Sequence, residues 1–455
     1  MREFGVRGFL GGALVVLGVV ACGTRGGGSG AAPAGSNTPG SSTPGSTEPS
    51  GSDPGVGEEK SSLARLAPSA TDDEVSTLVT NDAAFGFALF GELAADQNLV
   101  FSPHSISTAL AMLYPGAAGT TKSEMQSALH FDQPDAELEA AFNTLTQALD
   151  SRGANVGSSG GTPFQLALAN AVWGQRGAAF LPSYLDVLAE NFGAGLETVD
   201  FAANPEAARN DINGWVSDHT AAKIPELLEP GVVTTDTKLV LTNAIYFDAS
   251  WANPFDAKST QNQAFTELDG TSVDVPVMET FLESTYAAGS GWQAVELPYL
   301  GQAASMLVIL PDPASFTSFR TGFTTDVLAA IDQAMQSASI DVALPRFEIR
   351  TATSLAPALE GLGMHAAFSP TDADLSGIDG ARDLFVSDVV HQAYISVAEA
   401  GTEAAAATAV VVRGMAAPDR SSIKMFDART PFLFAIRDVE TKAVLFWGEV
   451  VNPLG

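Results

Sequence analysis

Apolar positions recur with helical spacing early in the chain and in short continuous runs later. In NDAAFGFALFGELAAD, residues 81–96, Phe85, Leu89 and Leu93 recur every four residues, which predicts a helix with one apolar face. SISTALAMLYPG, residues 105–116, predicts a second helix that ends at its Pro-Gly pair.

Several later runs are short and rich in Val, Ile, Leu and aromatic residues, which is typical of strands. They are KLVLTNAIYFDASW (238–251), QAVELPYL (293–300), ASMLVILPD (304–312), IDVALPRFEIR (340–350) and AVLFWGEVVNP (443–453). Because helices cluster in the first half and strands in the second, the pattern favours an α+β fold over a doubly wound sheet.

The N-terminus has the pattern of an export signal. Arg2 and Arg7 precede an apolar run at 9–21 that is short for a membrane span but suits a signal-peptide core. The run ends in VVAC, and this ending resembles the bacterial lipoprotein box, in which the cysteine is acylated. We therefore expect acylation of Cys22, the chain's single cysteine; the alternative is an ordinary secretory signal with an incidental cysteine.

Residues 23 to about 60 are mostly Gly, Ser, Thr, Pro and Ala, a composition that is typical of a flexible tether. We predict a removed signal at 1–21, an acylated cysteine with its linker at 22–70, and one domain at 71–455. The protein is then expected outside the cytoplasm, anchored by lipid to a membrane or released to the cell exterior.

Charge and motif searches exclude several function classes. The formal net charge of −31 disfavours DNA, RNA and heparin-like partners. Residues 157–161, GSSGG, match the nucleophile-elbow pattern but lie in a Gly/Ser-rich stretch without a strand before it. The five histidines have no metal-ligand spacing, so we expect no metal, no cofactor and no catalytic residues.

An ordered set of segments from about residue 75 to 455 resembles the serpin family. These segments are NLVFSPHSISTALAMLYPGAAGTT (98–121), LVLTNAIYFDASWANPF (239–255), DADLSGID (372–379), HQAYISVAEAGTEAAAA (391–407), PFLFAIRD (431–438) and VLFWGEVVNP (444–453). The resemblance implies three β-sheets, eight or nine helices and an exposed reactive-centre loop. It also implies a monomeric suicide inhibitor of serine proteases, and by extension of papain-like cysteine proteases, whose cleaved loop inserts into the main sheet.

The run after Gly401 has the side chains that such an inserting strand needs. One alternating face is small or β-branched and carries no charge: Thr402, Ala404, Ala406, Thr408, Val410 and Val412. The opposite face has its charged residues, Glu403 and Arg413, at its two ends. The run therefore favours an inhibitor over the alternative of a non-inhibitory serpin that acts as a cell-surface binding module.

The resemblance assigns further roles. Ser102, Asn243 and His391 correspond to a polar "shutter" group that holds the main sheet closed, and Trp251 to the "breach" at its top. Glu399 corresponds to a hinge residue that pairs with a base at the position of Arg346.

The usual hinge-to-bond spacing, 17 residues counted from Glu399, selects Met415-Ala416 as the reactive bond, with Arg413 and Arg420 as alternatives. Methionine suits elastase-, chymotrypsin- or subtilisin-like proteases, whereas arginine suits trypsin-like ones. The segment 121–150, where a heparin-binding helix is expected, contains Lys122 and no other Lys or Arg, so heparin activation is not expected.

Overall fold

A computed structural model of the protein describes residues 55–152, 164–403 and 422–455. Its α-helices are α1 (Asp72–Leu93), α2 (Pro103–Leu113), α3 (Gly119–Ala128), α4 (Asp135–Ser151), α5 (Pro182–Val187), α6 (Pro205–His219), α7 (Phe316–Thr321), α8 (Thr325–Ala334), α9 (Ala356–Gly361) and α10 (Ser376–Asp379). Its strands are β1 (Gly57–Glu59), β2 (Leu99–Phe101), β3 (Gln165–Gln175), β4 (Leu196–Val199), β5 (Leu239–Ser250), β6 (Gln261–Thr266), β7 (Ser272–Gly289), β8 (Trp292–Pro298), β9 (Ala304–Pro311), β10 (Gln336–Pro345), β11 (Phe347–Ser354), β12 (Val386–Ala398), β13 (Gly401–Thr402), β14 (Lys424–Asp427), β15 (Phe432–Asp438) and β16 (Val444–Val450).

A seven-stranded sheet has the order β1-β4-β3-β5-β13-β12-β11. Over most of their length β5 and β12 pair directly with each other as parallel neighbours, through eight residue pairs. Only at one end does the two-residue β13 lie between them. At the centre of this sheet, β13 therefore separates β5 from β12 at one end, and β5 and β12 pair directly along the rest.

The remaining strands form one nine-stranded sheet, where the resemblance implied two further sheets. The 18-residue β7 is the physical reason. One part of β7 pairs with β6 and β10, and its last residues pair with β8, so the two expected sheets are continuous through one long strand. Ten α-helices occur in the described ranges, where the resemblance implied eight or nine, and this number includes turns as short as the four-residue α10.

The helix α2 lies in the core, and each of its eleven residues is buried. Ser102 begins it as the N-cap, because its side chain accepts a hydrogen bond from the backbone N–H of Ser105, and Pro103 occupies the first turn. The predicted second helix is thereby confirmed, and a 3₁₀ turn at Tyr114–Gly116 ends it as expected. The α+β class is also confirmed.

Residues 55–70 form an N-terminal strap on this domain, so the predicted linker end at residue 70 is too late. Within the strap, β1 pairs antiparallel with β4 at the edge of the seven-stranded sheet. Further on, the Leu66 N–H donates to the Glu190 carbonyl at 2.8 Å, and Arg65 Nε donates to Asn143 Oδ1 at 2.8 Å. The Gly/Ser-rich composition of residues 23–60 hides these few contacts, and residues 55–70 belong with the domain.

None of the helices within 55–152, 164–403 and 422–455 has the length and apolar character that a membrane span requires.

Candidate functional site

The hinge of the proposed inserting segment lies at the top of the seven-stranded sheet. Gly401 and Thr402 pair with Ser250 and Ala249 of β5 on one side. On the other side they pair with Ala398 and Val397 of β12. Both pairings are antiparallel, so the chain turns back after β12 and occupies the first two positions between the parallel strands.

The two hinge residues are held by different means. A Cβ on Gly401 would lie 2.2 Å from the Ala249 carbonyl oxygen, so this position requires the absence of a side chain. Thr402 is completely buried, and its hydroxyl shares a 2.6 Å hydrogen bond with the hydroxyl of Tyr299. The face of the segment that was predicted to turn inward therefore does so at its first residue.

Glu399, in the turn between β12 and β13, pairs with Arg346 as the resemblance implied. The Arg346 Nε donates to Glu399 Oε1 at 2.8 Å, and the Thr260 hydroxyl donates to the same oxygen. Burial alone would raise the pKa of Glu399, but the hydrogen bonds from Arg346 and Thr260 outweigh it and lower that pKa. The carboxylate is consequently ionised at neutral pH and fixes the turn.

Trp251 lies beside the hinge and is buried. Its indole Nε1 donates to the Ala398 carbonyl at 2.9 Å, and its backbone N–H donates to the Ala400 carbonyl at 2.9 Å. Its ring stacks on Tyr299 with centroids 4.4 Å apart. Trp251 and Tyr299 together therefore contact the turn and the inserted threonine.

A buried polar cluster lies further down, where β5 and β12 pair directly. His391 Nδ1 donates to Asn243 Oδ1 at 2.5 Å, and Asn243 Nδ2 donates to Ser105 Oγ at 2.7 Å and to Asn170 Oδ1 at 2.6 Å. Burial lowers the pKa of His391 to about 3, so the imidazole is neutral in the folded protein. The cluster connects β12, β5, β3 and α2 across the line that an inserting strand would open.

Comparison with known proteins identifies the family. The profile of the family described as Serpin (serine protease inhibitor) matches residues 80–453. The chain belongs to the serpin family. An uncharacterised serpin-like protein of Thermococcus kodakarensis is 39% identical over 371 residues, which cover 81% of this chain and 84% of that protein. The leukocyte elastase inhibitor of Xenopus tropicalis is 37% identical over 379 residues, which cover 81% of this chain and 97% of the inhibitor.

Solved serpin structures have the same fold. The native state of the thermophilic serpin tengpin superposes with a TM-score of 0.77 at 26% identity, covering 88% of this chain and all of tengpin. Uncleaved ovalbumin superposes with a TM-score of 0.72 at 28% identity, covering 82% of this chain and all of that chain. The expected serpin fold is confirmed, and membership of this family supports a role in protease inhibition rather than an enzymatic activity.

The shutter serine assigned from the serpin resemblance lies beside this cluster, and its shutter role stays a prediction. Ser102 is buried at the start of α2 and accepts a hydrogen bond from the backbone N–H of Ser105, the serine whose hydroxyl Asn243 contacts. Asn170 of β3 completes the cluster and was missed. Its signal was a single polar residue within the apolar run LALANAVW, residues 166–173.

The exit of the hinge carries a charge cluster that the sequence analysis also missed. Glu403 has a positive φ of 56°, its N–H donates to the Ser396 carbonyl at 2.7 Å, and its carboxylate forms an ion pair with Lys223. Burial, and then the nearby charge of Glu403, raise the pKa of Asp248 on β5. Two carboxylates and one lysine therefore lie together at Glu403, the last described residue before the gap.

Several predicted site residues lie outside the described residues. These are Cys22, the hinge alanines Ala404 and Ala406, the reactive bond Met415-Ala416, and the alternatives Arg413 and Arg420.

Proposed function

We propose that this serpin is a suicide-substrate inhibitor of serine proteases, and by extension of papain-like cysteine proteases. The observation that carries the proposal is β13, since Gly401 and Thr402 already occupy the top of the position between β5 and β12. The backbone there is too close for any side chain on Gly401, and the threonine methyl and hydroxyl are fully buried. The remaining small residues of the segment can continue the same strand.

In the proposed reaction, the protease serine Oγ attacks the carbonyl carbon of Met415. The C–N bond to Ala416 breaks, and the serine proton passes through the protease's general base to the new amine of Ala416. The ester leaves the protease attached to the end of a segment that is free to insert. Insertion carries the protease with it and distorts the protease active site before water can hydrolyse the ester.

The energy of insertion can be estimated from the sheet itself. A new central strand replaces the direct β5–β12 pairing, eight residue pairs long, with two ladders of similar length. The net gain is one ladder, and eight hydrogen bonds at about 0.5–1.5 kcal/mol each give about 4–12 kcal/mol. That range overlaps the whole folding stability of an ordinary domain, about 5–15 kcal/mol, so it is large enough to deform a tethered protease.

We propose Met415-Ala416 as the reactive bond and an elastase-, chymotrypsin- or subtilisin-like protease as the target. The spacing from Glu399 supports the bond, and the similarity to leukocyte elastase inhibitors supports the target class. We further propose that acylation at Cys22 anchors the inhibitor to a membrane on the exported side. Substitution Cys22→Ser should move the protein from the membrane fraction to the soluble fraction or stall its processing, and unchanged fractionation would refute the anchor.

The decisive experiment incubates the serpin with a panel of proteases and looks for a covalent complex that survives SDS. The denatured complex should release a C-terminal fragment, 416–455, that begins at Ala416. A fragment that begins at Gly414 or Ser421 would assign the bond to Arg413 or Arg420 and the target to trypsin-like proteases. Cleavage without any covalent complex would refute inhibition by trapping and favour a non-inhibitory binding role.

A further inference from the structure

The strands β7, β10 and β14 present an outward face next to the end of the reactive loop. Asp341 of β10 lies opposite Phe281 of β7 on one side and opposite Met425 of β14 on the other. Residues directly opposite each other project to the same face of a sheet, so these three side chains form one row. Glu279 and Glu283 lie two residues to either side of Phe281 on the same face.

The opposite face of the same strands is core. Leu282, Val342 and Phe426, which alternate with the outward residues, are at most 5% exposed. The outward residues therefore owe their exposure to the pleat of a well-packed sheet, not to a loose loop.

Two large apolar side chains on this outward face are unusually exposed. Phe281 is 42% exposed and Met425 is 65% exposed. Their strands are separated by one intervening strand, which places the two side chains roughly 10 Å apart. Exposed apolar side chains that are grouped and surrounded by polar residues mark interaction surfaces more often than isolated ones do.

The same face is acidic. Glu279 accepts a hydrogen bond from Gln263, and Glu283 accepts one from Ser339, but no salt bridge joins either carboxylate to a Lys or Arg among the described residues. Arg429 forms an ion pair with Asp427, and the hydrogen bond to Asp427 together with the charge of the nearby Glu279 raises the pKa of Arg429. We call Phe281, Met425, Glu279, Glu283 and Asp341 the acidic-apolar face.

The position of the face limits what can cover it. Met425 follows Met415 by ten residues, so the reactive bond can lie at most about 36 Å from it along an extended chain. A protease domain of about 230 residues is roughly 45 Å across by the usual scaling of size with length. A protease bound at the reactive bond is therefore large enough to reach this face.

We propose that the acidic-apolar face is a second contact surface for the target protease, and that it selects proteases with basic residues around the active-site cleft. This inference rests on the proposed inhibitory function. A second copy of this chain is a poorer occupant, because it would bring the same carboxylates and a net charge of −31 to the contact. Charge complementarity of this kind acts mainly on the rate of association.

The test measures second-order rates of inhibition for two pairs of changes, Phe281→Ser with Met425→Ser and Glu279→Lys with Glu283→Lys. The matched controls are Leu454→Ser and Glu229→Lys, which change an exposed apolar and an exposed acidic side chain elsewhere. The panel includes a cationic elastase-type protease and an anionic subtilisin-type protease that both accept methionine.

With the cationic protease, each pair of changes should lower the rate about tenfold and leave the ratio of trapped to cleaved serpin unchanged. The charge reversal should not slow the anionic protease, and the controls should stay within twofold of the parent. Rates within twofold for both face variants would overturn the proposal, as would a dimer in the parent that Phe281→Ser with Met425→Ser abolishes.

These outcomes are separate from failure of the proposed function. If the parent is cleaved but never trapped, the proposed inhibition by trapping is wrong. The value of kcat/KM for cleavage of the loop then still measures how well the protease associates with the serpin. A tenfold lower kcat/KM for the face variants would support the acidic-apolar face as a contact surface. If no protease of the panel cleaves or binds the parent, the protease is refuted as the occupant.

Discussion

The hydrogen bond between Thr402 and Tyr299 should hold the hinge in the sheet. Thr402→Val keeps the shape of the side chain but leaves the fully buried Tyr299 hydroxyl without its partner. An unsatisfied buried polar group costs about 1–3 kcal/mol, and Tyr299→Phe should cost a similar amount by orphaning the threonine hydroxyl. The phenylalanine ring can still stack on Trp251, so this second change removes mainly the hydrogen bond.

The double variant, Thr402→Val with Tyr299→Phe, decides whether the two hydroxyls act together. Because both partners are then apolar, it should cost less than the sum of the single variants by about 1–3 kcal/mol. The free energy of the first unfolding transition in urea measures these costs. Hydrogen exchange at the backbone amides of Gly401 and Thr402 measures local opening of the hinge. Thr266→Val, an exposed threonine on β6, should change stability by less than about 0.5 kcal/mol. Simple additivity of the two single changes would refute the coupling.

Three further predictions concern the hinge turn and the strap. Arg346→Ala should lower the unfolding free energy by about 1–2 kcal/mol, because the buried carboxylate of Glu399 loses its positively charged hydrogen-bond donor. An unchanged midpoint of unfolding in urea would contradict this. Burial and the facing Glu58 raise the pKa of Glu197 from 4.5 to about 7. The folded protein therefore binds this proton more tightly than the unfolded chain does, and Tm should fall as the pH rises from 4.5 to about 7. Glu197→Gln should flatten the dependence of Tm on pH between pH 5 and 8. Deleting residues 55–70 should lower Tm, since the edge of the seven-stranded sheet loses a paired strand, and equal values for both proteins would show that the strap adds no stability.

The parts of the fold that the sequence predicts are those with a clear local pattern, either a helical period or a continuous apolar run. α1 and α2 lie where the helical period predicts them, and β5, β9 and β16 lie where the apolar runs do. The run at 340–350 predicts a single strand, but β10 ends at Pro345 and β11 begins at Phe347 in the other sheet. The alternation of buried residues changes phase at this break, because Val342 and Leu344 are buried before it and Phe347 and Ile349 after it. Pro345 and this change of phase are the signals of the break in the sequence.

The candidate site was predictable where the family resemblance supplied both partners of a contact, and not where one partner lies outside the recognised motifs. Glu399 with Arg346 and His391 with Asn243 came from the family resemblance, and the structure brings both pairs within hydrogen-bonding distance. The partner of Thr402, Tyr299, is 103 residues away in the chain and has no pattern of its own. Such residues become visible only when the fold brings them together.

The two residues of β13 also define the register that the proposed insertion would follow. Thr402 lies opposite Ala249, and a strand that continues antiparallel in this register reaches Leu239, the first residue of β5, with Val412. A slip by one residue would turn Glu403 and the rest of its face inward, so the buried threonine fixes the alignment in advance. Met415 then passes the far end of β5 by three residues, which is about 44 Å of travel along the sheet from Thr402. Under the proposed mechanism, the length of β5 would therefore set how far a captured protease is carried.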